Sequence, residues 1–145
     1  KNMIKTFVPK FSQQKYNMIC GCAEETIKNI DEEFDLVFTS PPYFNLEKYS
    51  DDSSQSINKF PKFEDWYNKF LLESITQAFD KLVDHGILAI NINNTKDHNI
   101  IDRLIKDMNN LAYAKFNGIT YYGNPKHKKY IYQPILVWQK DIMKI

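Results

Sequence analysis

Ser40-Pro41-Pro42-Tyr43 packs a hydroxyl, two rings that fix φ and a flat aromatic face into four consecutive residues. Ser40 Oγ can accept a hydrogen bond as well as donate one. Each proline keeps its carbonyl acceptor while lacking an N–H. Together they offer stiffly held acceptors beside a surface on which a planar group can stack. The residues just before them say what would hold such a set in place. Leu36-Val37-Phe38 is a short apolar run that reads as a strand buried on both faces. Pro41 and Pro42 cannot continue a ladder, so the strand ends at Thr39. The four residues then lie past its carboxyl end, the edge at which open α/β sheets bind ligands.

The remaining elements must build that sheet. Tyr16–Cys20 reads as a short strand ending at Gly21, and Glu24–Ile30 as a short helix or turn. Residues 44–62 are polar and read as a loop long enough to be functional. Trp66, Phe70, Ile75, Ala78, Phe79 and Leu82 recur at helical spacing, which predicts an amphipathic helix over 64–83 stopped by Gly86. Ile87–Ile92 is a second buried strand, with Asn91, Asn93 and Asn94 where it ends. Asp97 is the expected cap of a helix running to Met108, with Ile100, Ile101, Leu104, Ile105 and Met108 on its apolar face. Ala112–Tyr122 and Tyr130–Gln139 read as an antiparallel hairpin. Trp66 and Trp138 are expected in the core. The alternation predicts one α/β domain over 1–145, a three-layer sandwich with a mostly parallel sheet that ends in the hairpin.

The bulk composition sets limits. Hydrophobic residues are 43% and charged residues 26% of 145, ordinary for a soluble globular chain. No apolar stretch reaches the ~20 residues that a membrane helix needs. Cys20 and Cys22 are two thiols without further ligands, so no metal site is expected, and they read as small buried thiols of a reducing cytoplasm. A net charge of +1 argues no global attraction to nucleic acid. The distribution is more telling: Gly118–Ile145 carries five lysines against one acid, whereas Asp31–Asp65 carries nine acids against three lysines. A locally basic end suits phosphate contact.

Thr39-Ser40-Pro41-Pro42-Tyr43 after an apolar strand resembles the catalytic motif of the DNA amino-methyltransferases, the family that methylates N6 of adenine or N4 of cytosine with S-adenosylmethionine. "HGILAININN" resembles the family's next core strand, "QPILVWQK" the strand usually written Glu-Pro-Ile-Leu-Val-Phe, and "YNMICGCAEE" the strand and turn near the cofactor's adenine. The resemblance spans about Tyr16–Lys140. It implies a Rossmann-like methyltransferase fold, DNA as partner and S-adenosylmethionine as cofactor. It assigns catalysis to Ser40, Pro41, Pro42 and Tyr43, and cofactor contact to Cys22, Ala23, Glu24 and Thr39. Phe44, Lys48, Tyr49, Lys126, His127 and Lys128 become the candidate DNA contacts, with Gln55 and Ser56 as further polar ones.

The chemistry fits those residue types. An exocyclic amino nitrogen is a weak nucleophile because its lone pair is delocalised into the ring. Acceptors on its two hydrogens, Ser40 Oγ and the Pro41 carbonyl, draw it toward tetrahedral geometry. Tyr43 offers a stacking face to a base taken out of the duplex. Serine in the first motif position leans toward cytosine N4, and aspartate or asparagine there toward adenine N6.

The family's glycine-rich cofactor loop and the acidic residue for the ribose are not identifiable. The first cofactor-binding strand is therefore expected to be missing. The half that carries it would precede Lys1 in a longer protein or come from a second chain; the start at Lys1 favours the first. The alternative is a non-catalytic DNA-binding or partner-binding module that kept the fold.

Overall fold

The computed structural model describes residues 16–45, 47–123 and 132–142. Four strands, β1 (Phe34–Thr39), β2 (Leu82–Asn91), β3 (Ala114–Gly123) and β4 (Tyr132–Lys140), form one sheet in the order β1-β2-β4-β3. β1 and β2 are parallel, and β4 runs antiparallel to both β2 and β3. The helices are α1 (Ala23–Thr26, continued as a 3-10 turn over Ile27–Asn29), α2 (Ser56–Lys59), α3 (Phe63–Trp66), α4 (Glu73–Asp80) and α5 (Ile100–Met108); a π-helical stretch, Tyr67–Leu72, joins α3 to α4. The expected α/β architecture with a closing hairpin is thus present. Two of the three strand pairs are antiparallel among the described residues, because β4 lies between β2 and β3, which α5 connects, and runs against both.

The core explains why these segments fold. Leu88, Ile90, Ile92, Leu136 and Trp138 project from alternate strand positions, meeting Trp66, Tyr67, Leu71, Ile75 and Phe79 from the α3–α4 helix and Ile100, Leu104 and Met108 from α5 in one buried cluster. Both predicted core tryptophans are fully buried. Their indole N–H groups are satisfied by Ser56 Oγ and Asn109 Oδ1, each at 3.3 Å. The buried ammonium of Lys140 donates to the carbonyls of Asp80 and Leu82 where α4 ends, a favourable site for a cation.

Several sequence expectations are corrected. Tyr16–Cys20 is not a strand: it joins no ladder, and Tyr16, Met18 and Ile19 are exposed. β1 is not buried on both faces. It is the edge strand, and Phe34, Leu36 and Phe38 are exposed because nothing described here covers its outward face or pairs with its free edge. Gly86 does not stop a helix. The helix ends at Asp80, and Gly86 lies in β2 where the register slips between Phe34↔Leu82 and Leu36↔Ile87. That bulge brings Val83 O within 2.9 Å of where a Cβ would sit, so only glycine fits without a shift. Asn99, not Asp97, caps α5: its side chain accepts from Asp102 N at 3.2 Å, the third position of the helix. The polar segment 44–62 contains the one-turn helix α2.

Candidate functional site

The strand-ending prolines behave as the sequence requires. β1 finishes at Thr39, Ser40 is exposed and Pro41 is buried directly after it. A cavity of about 400 Å³ opens beside this turn. It brings together Thr39, Ser40, Pro41 and Pro42 with Gly21, Cys22, Ala23 and Glu24, which lie well upstream in sequence. Its floor is apolar, from Ile27, Val37, Ile75 and Leu88. Ser74 Oγ, a cavity-lining group shielded from solvent, has no hydrogen-bond partner among the described residues. A buried hydroxyl without a partner is costly, so a polar group entering here would find it ready. The four proposed catalytic residues and the four proposed cofactor residues are therefore neighbours, except that Tyr43 lies outside the cavity wall.

The wall opposite β1 is fixed by charge and packing. Lys59 of α2 pairs with Glu24 at 2.8 Å and with Glu25. Those two hydrogen bonds raise the Lys59 pKa, and the same contact lowers that of Glu25. Gln77 Nε2 donates to Glu24 O at 3.1 Å, tying α1 to α4. Glu24 thus has a structural partner already, which sequence reasoning did not foresee. The Cys22 thiol faces Ser54 O at 3.7 Å, and burial first and Glu24 second push its pKa up, so it stays a protonated thiol. The expectation of buried thiols is corrected: Cys20 is exposed and Cys22 only half-buried, because the segment before α1 runs over the surface. At Gly21 a Cβ would lie 2.3 Å from the Thr26 methyl, while Thr26 Oγ1 donates to Cys22 O at 2.9 Å to close the turn. Gly21 is therefore needed for this close approach.

Tyr43 and Phe44 have separate jobs. The Tyr43 ring is half-buried against the core, and its hydroxyl lies 3.4 Å from Asn91 Oδ1 and 3.2 Å from Gln133 Oε1. Burial, then the nearby Glu47 carboxylate, raise the phenol pKa. Phe44 is corrected from DNA contact to core anchor. It is 7% exposed and meets Phe63 and Trp66 at 5.4 Å and His98 at 5.7 Å between ring centroids. Its φ of 24° is unusual for a non-glycine residue, and burial of the ring holds it there. Glu47 Oε2 accepts from Tyr43 N at 3.2 Å, closing the turn from the far side. Glu47 was missed because nothing in its spacing marks it.

Of the other DNA candidates, Lys48 is exposed and ion-paired with Asp51 at 2.6 Å, and Tyr49 is exposed. Lys126, His127 and Lys128 lie outside the described residues. Gln55 and Ser56 are committed within the chain: Gln55 Oε1 accepts from Tyr49 N at 3.0 Å and Ser50 N at 2.7 Å, and Ser56 Oγ receives the Trp66 indole. Asn94 Oδ1 accepts from Ile101 N at 2.9 Å, so of the three asparagines at the end of β2 it supports α5 while Asn91 faces Tyr43. No helix among the described residues is long and apolar enough to cross a membrane.

The model of a DNA methylase family, the N6/N4 methyltransferases, matches residues 34–144. The Type II methyltransferase M.BamHI of Bacillus amyloliquefaciens is 35% identical over 75 residues, covering 51% of this chain and 18% of that protein. Among solved structures, a chain from Thermus thermophilus provisionally assigned as a DNA modification methylase superposes with a TM-score of 0.58 at 20% identity, over 86% of this chain and 54% of its own. A methyltransferase from Pyrococcus furiosus gives a TM-score of 0.46 at 16% identity, over 78% and 44%. The Thermus likeness shows the α/β methyltransferase fold. This chain spans about half of these structures and less than a fifth of the curated relative.

Proposed function

The chain belongs to the N6/N4 DNA methylase family, and from that premise we propose that it carries the catalytic motif of an S-adenosylmethionine-dependent DNA amino-methyltransferase acting on the cytosine N4 or adenine N6 of an extruded base. The observation that supports this best is the cavity shared by the Thr39–Pro42 turn and the Gly21–Glu24 turn. It sets the acceptors of one motif beside the segment that the family resemblance links to the cofactor.

Ser40, exposed at the strand end, accepts one hydrogen of the target amino group, and the Pro41 carbonyl accepts the other. The nitrogen lone pair is then freed from the ring and aimed outward. Because β1, the prolines and the buried Phe44 fix the turn beforehand, little reorganisation is needed as charge develops. Tyr43 presents a ring face to the base. S-adenosylmethionine, when bound, supplies the methyl group. The apolar floor and unpartnered Ser74 Oγ fit one part of such a molecule, with Cys22, Ala23 and Thr39 as walls. The paired Glu24 fits less well as a free ribose acceptor. The edge of β1 that no described residue pairs, with its exposed Leu36 and Phe38, is what a sheet would show where a further cofactor-binding half joins it. Ser40 leans the reading toward cytosine N4, and the setting is a cytoplasmic enzyme on DNA.

Two measurements test this. Residues 1–145 alone should bind S-adenosylmethionine only weakly in calorimetry, since the glycine turn that lets backbone approach a ligand closely is missing; micromolar binding would show otherwise. In the protein with both halves, Ser40→Ala should cut single-turnover methylation about 100-fold, within the range for one lost acceptor aimed at developing charge, while DNA affinity holds. Mass analysis of the modified nucleoside distinguishes N4-methylcytosine from N6-methyladenine. An unchanged rate in Ser40→Ala would favour the non-catalytic module.

A further inference from the structure

Two carboxamides converge on one phenol. Asn91 is the last residue of β2 and Gln133 the second of β4. Asn91 pairs with Ile135, so Gln133 is its diagonal neighbour on the same face. Over its middle that face is apolar, with Ala89 leading to Asn91 and Val137 and Ile135 leading to Gln133; at the far end Gln139, opposite Ile87, is polar but donates to His85 O. At the same level of two adjacent strands the chain changes to carboxamides, and the Tyr43 hydroxyl from the turn after β1 sits between them at 3.4 and 3.2 Å.

A phenol has one proton and can accept as well as donate. A carboxamide can present either its oxygen or its NH₂. Both carboxamide oxygens face the phenol, which has only one proton to give; full satisfaction requires a directed chain, in which the phenol donates to Gln133 Oε1, the shorter contact, and Asn91 turns its amide to donate to the phenol oxygen. Such a chain fixes the hydroxyl from two sides, and with it the plane of the ring. The three groups are only partly buried, so solvent could have served the hydroxyl instead. The protein spends two side chains on its direction.

We propose that Asn91 and Gln133 are positioning residues: they lock Tyr43 through its hydroxyl and so set the plane on which the target base stacks. This deepens the proposed function and rests on it for the role of the base. It also predicts that Tyr43→Phe is impaired, because that variant keeps the ring face and loses its anchor.

The test has two arms. In the 145-residue chain, ¹³C-tyrosine NMR should show the Tyr43 ring signal moving in Asn91→Leu and in Gln133→Leu, with Gln133→Glu, which retains acceptor oxygens, restoring the signal of the original protein. In the protein with both halves, capture of a fluorescent base analogue and the single-turnover rate should fall about tenfold in Gln133→Leu, the scale of one hydrogen bond. KM for S-adenosylmethionine should hold. Tyr43→Phe should fall at least as far, and the Tyr43→Phe/Gln133→Leu double variant no further than Tyr43→Phe, since loss of the hydroxyl already removes the Gln133 contact. Additive losses, or a Tyr43 signal indifferent to Asn91 and Gln133, would overturn the positioning. Absence of base capture by the unmodified protein would overturn the proposed function and the platform role with it, while the NMR arm still decides whether the ring is locked.

Discussion

On one face of the sheet, Leu88, Ile90, Leu136 and Trp138 are sealed beneath the α3–α4 helix and α5; on the other, Leu36 and Phe38 of β1 keep 58% and 60% of their surface exposed. Both sets are apolar and alternate along the strands of one sheet. The difference is cover. Apolar sequence drives burial only where something is present to bury against, and large apolar side chains left in water mark a surface that takes a partner. The finished face holds the motif turn from beneath, through Phe44. The open face and the free edge of β1 are where the proposed second half would add.

The comparison is sharpest in stability. Trp138→Ala, beneath the helices, should cost about 3–5 kcal/mol, as a buried large side chain does. Phe38→Ser should change the stability of this chain by no more than about 0.5 kcal/mol, because its ring is mostly in water already. Urea midpoints measure both. A large cost at Phe38 would mean that the outer face is covered after all.

A smaller contrast separates two neighbouring aromatics. Phe44→Ala should cost about 3 kcal/mol and loosen the motif turn, since Phe44 packs against Phe63 and Trp66. Tyr49→Ala, 73% exposed, should be nearly silent. Equal melting curves for the two variants would remove Phe44 as the anchor.

The smallest expected effect is electrostatic. Lys59 holds the Glu25 carboxyl below its ordinary range, through its hydrogen bond first and its charge second. A depressed folded pKa gives stability that is present above the unfolded carboxyl pKa and lost as pH falls through the folded one. The Lys59 pKa is raised, so its share is present below the ordinary lysine pKa and lost as pH rises through the folded value. Lys59→Met should therefore flatten both limbs of a stability–pH curve with little change in the core. Unaltered limbs would assign no energetic role to the tether between α1 and α2.

Motif reading went furthest where the residue type alone restricts the backbone. Pro41 and Pro42 had to end a strand, because proline cannot donate to a ladder, and β1 stops at Thr39. Helical spacing located the α3–α4 helix and α5, and the tryptophans were legible as core. Where a residue type serves two purposes the reading failed. Gly86 resembles a helix stop but serves a bulge, and Phe44 resembles a surface aromatic beside a motif but fills the core.

By itself, then, the sequence determined the family, the strand-ending turn with its acceptors, and the absence from these residues of the glycine loop that a cofactor half would carry. Tertiary structure decided three things. It made β1 an edge, it folded Gly21–Glu24 against Thr39–Pro42 around one cavity, and it set Asn91 and Gln133 on either side of the Tyr43 hydroxyl. The reason is physical. Local rules of proline, helical period and strand alternation act over a few residues. The last juxtaposition joins Tyr43 to residues 48 and 90 positions away, and only the pairing of strands and the burial of one shared core bring those together.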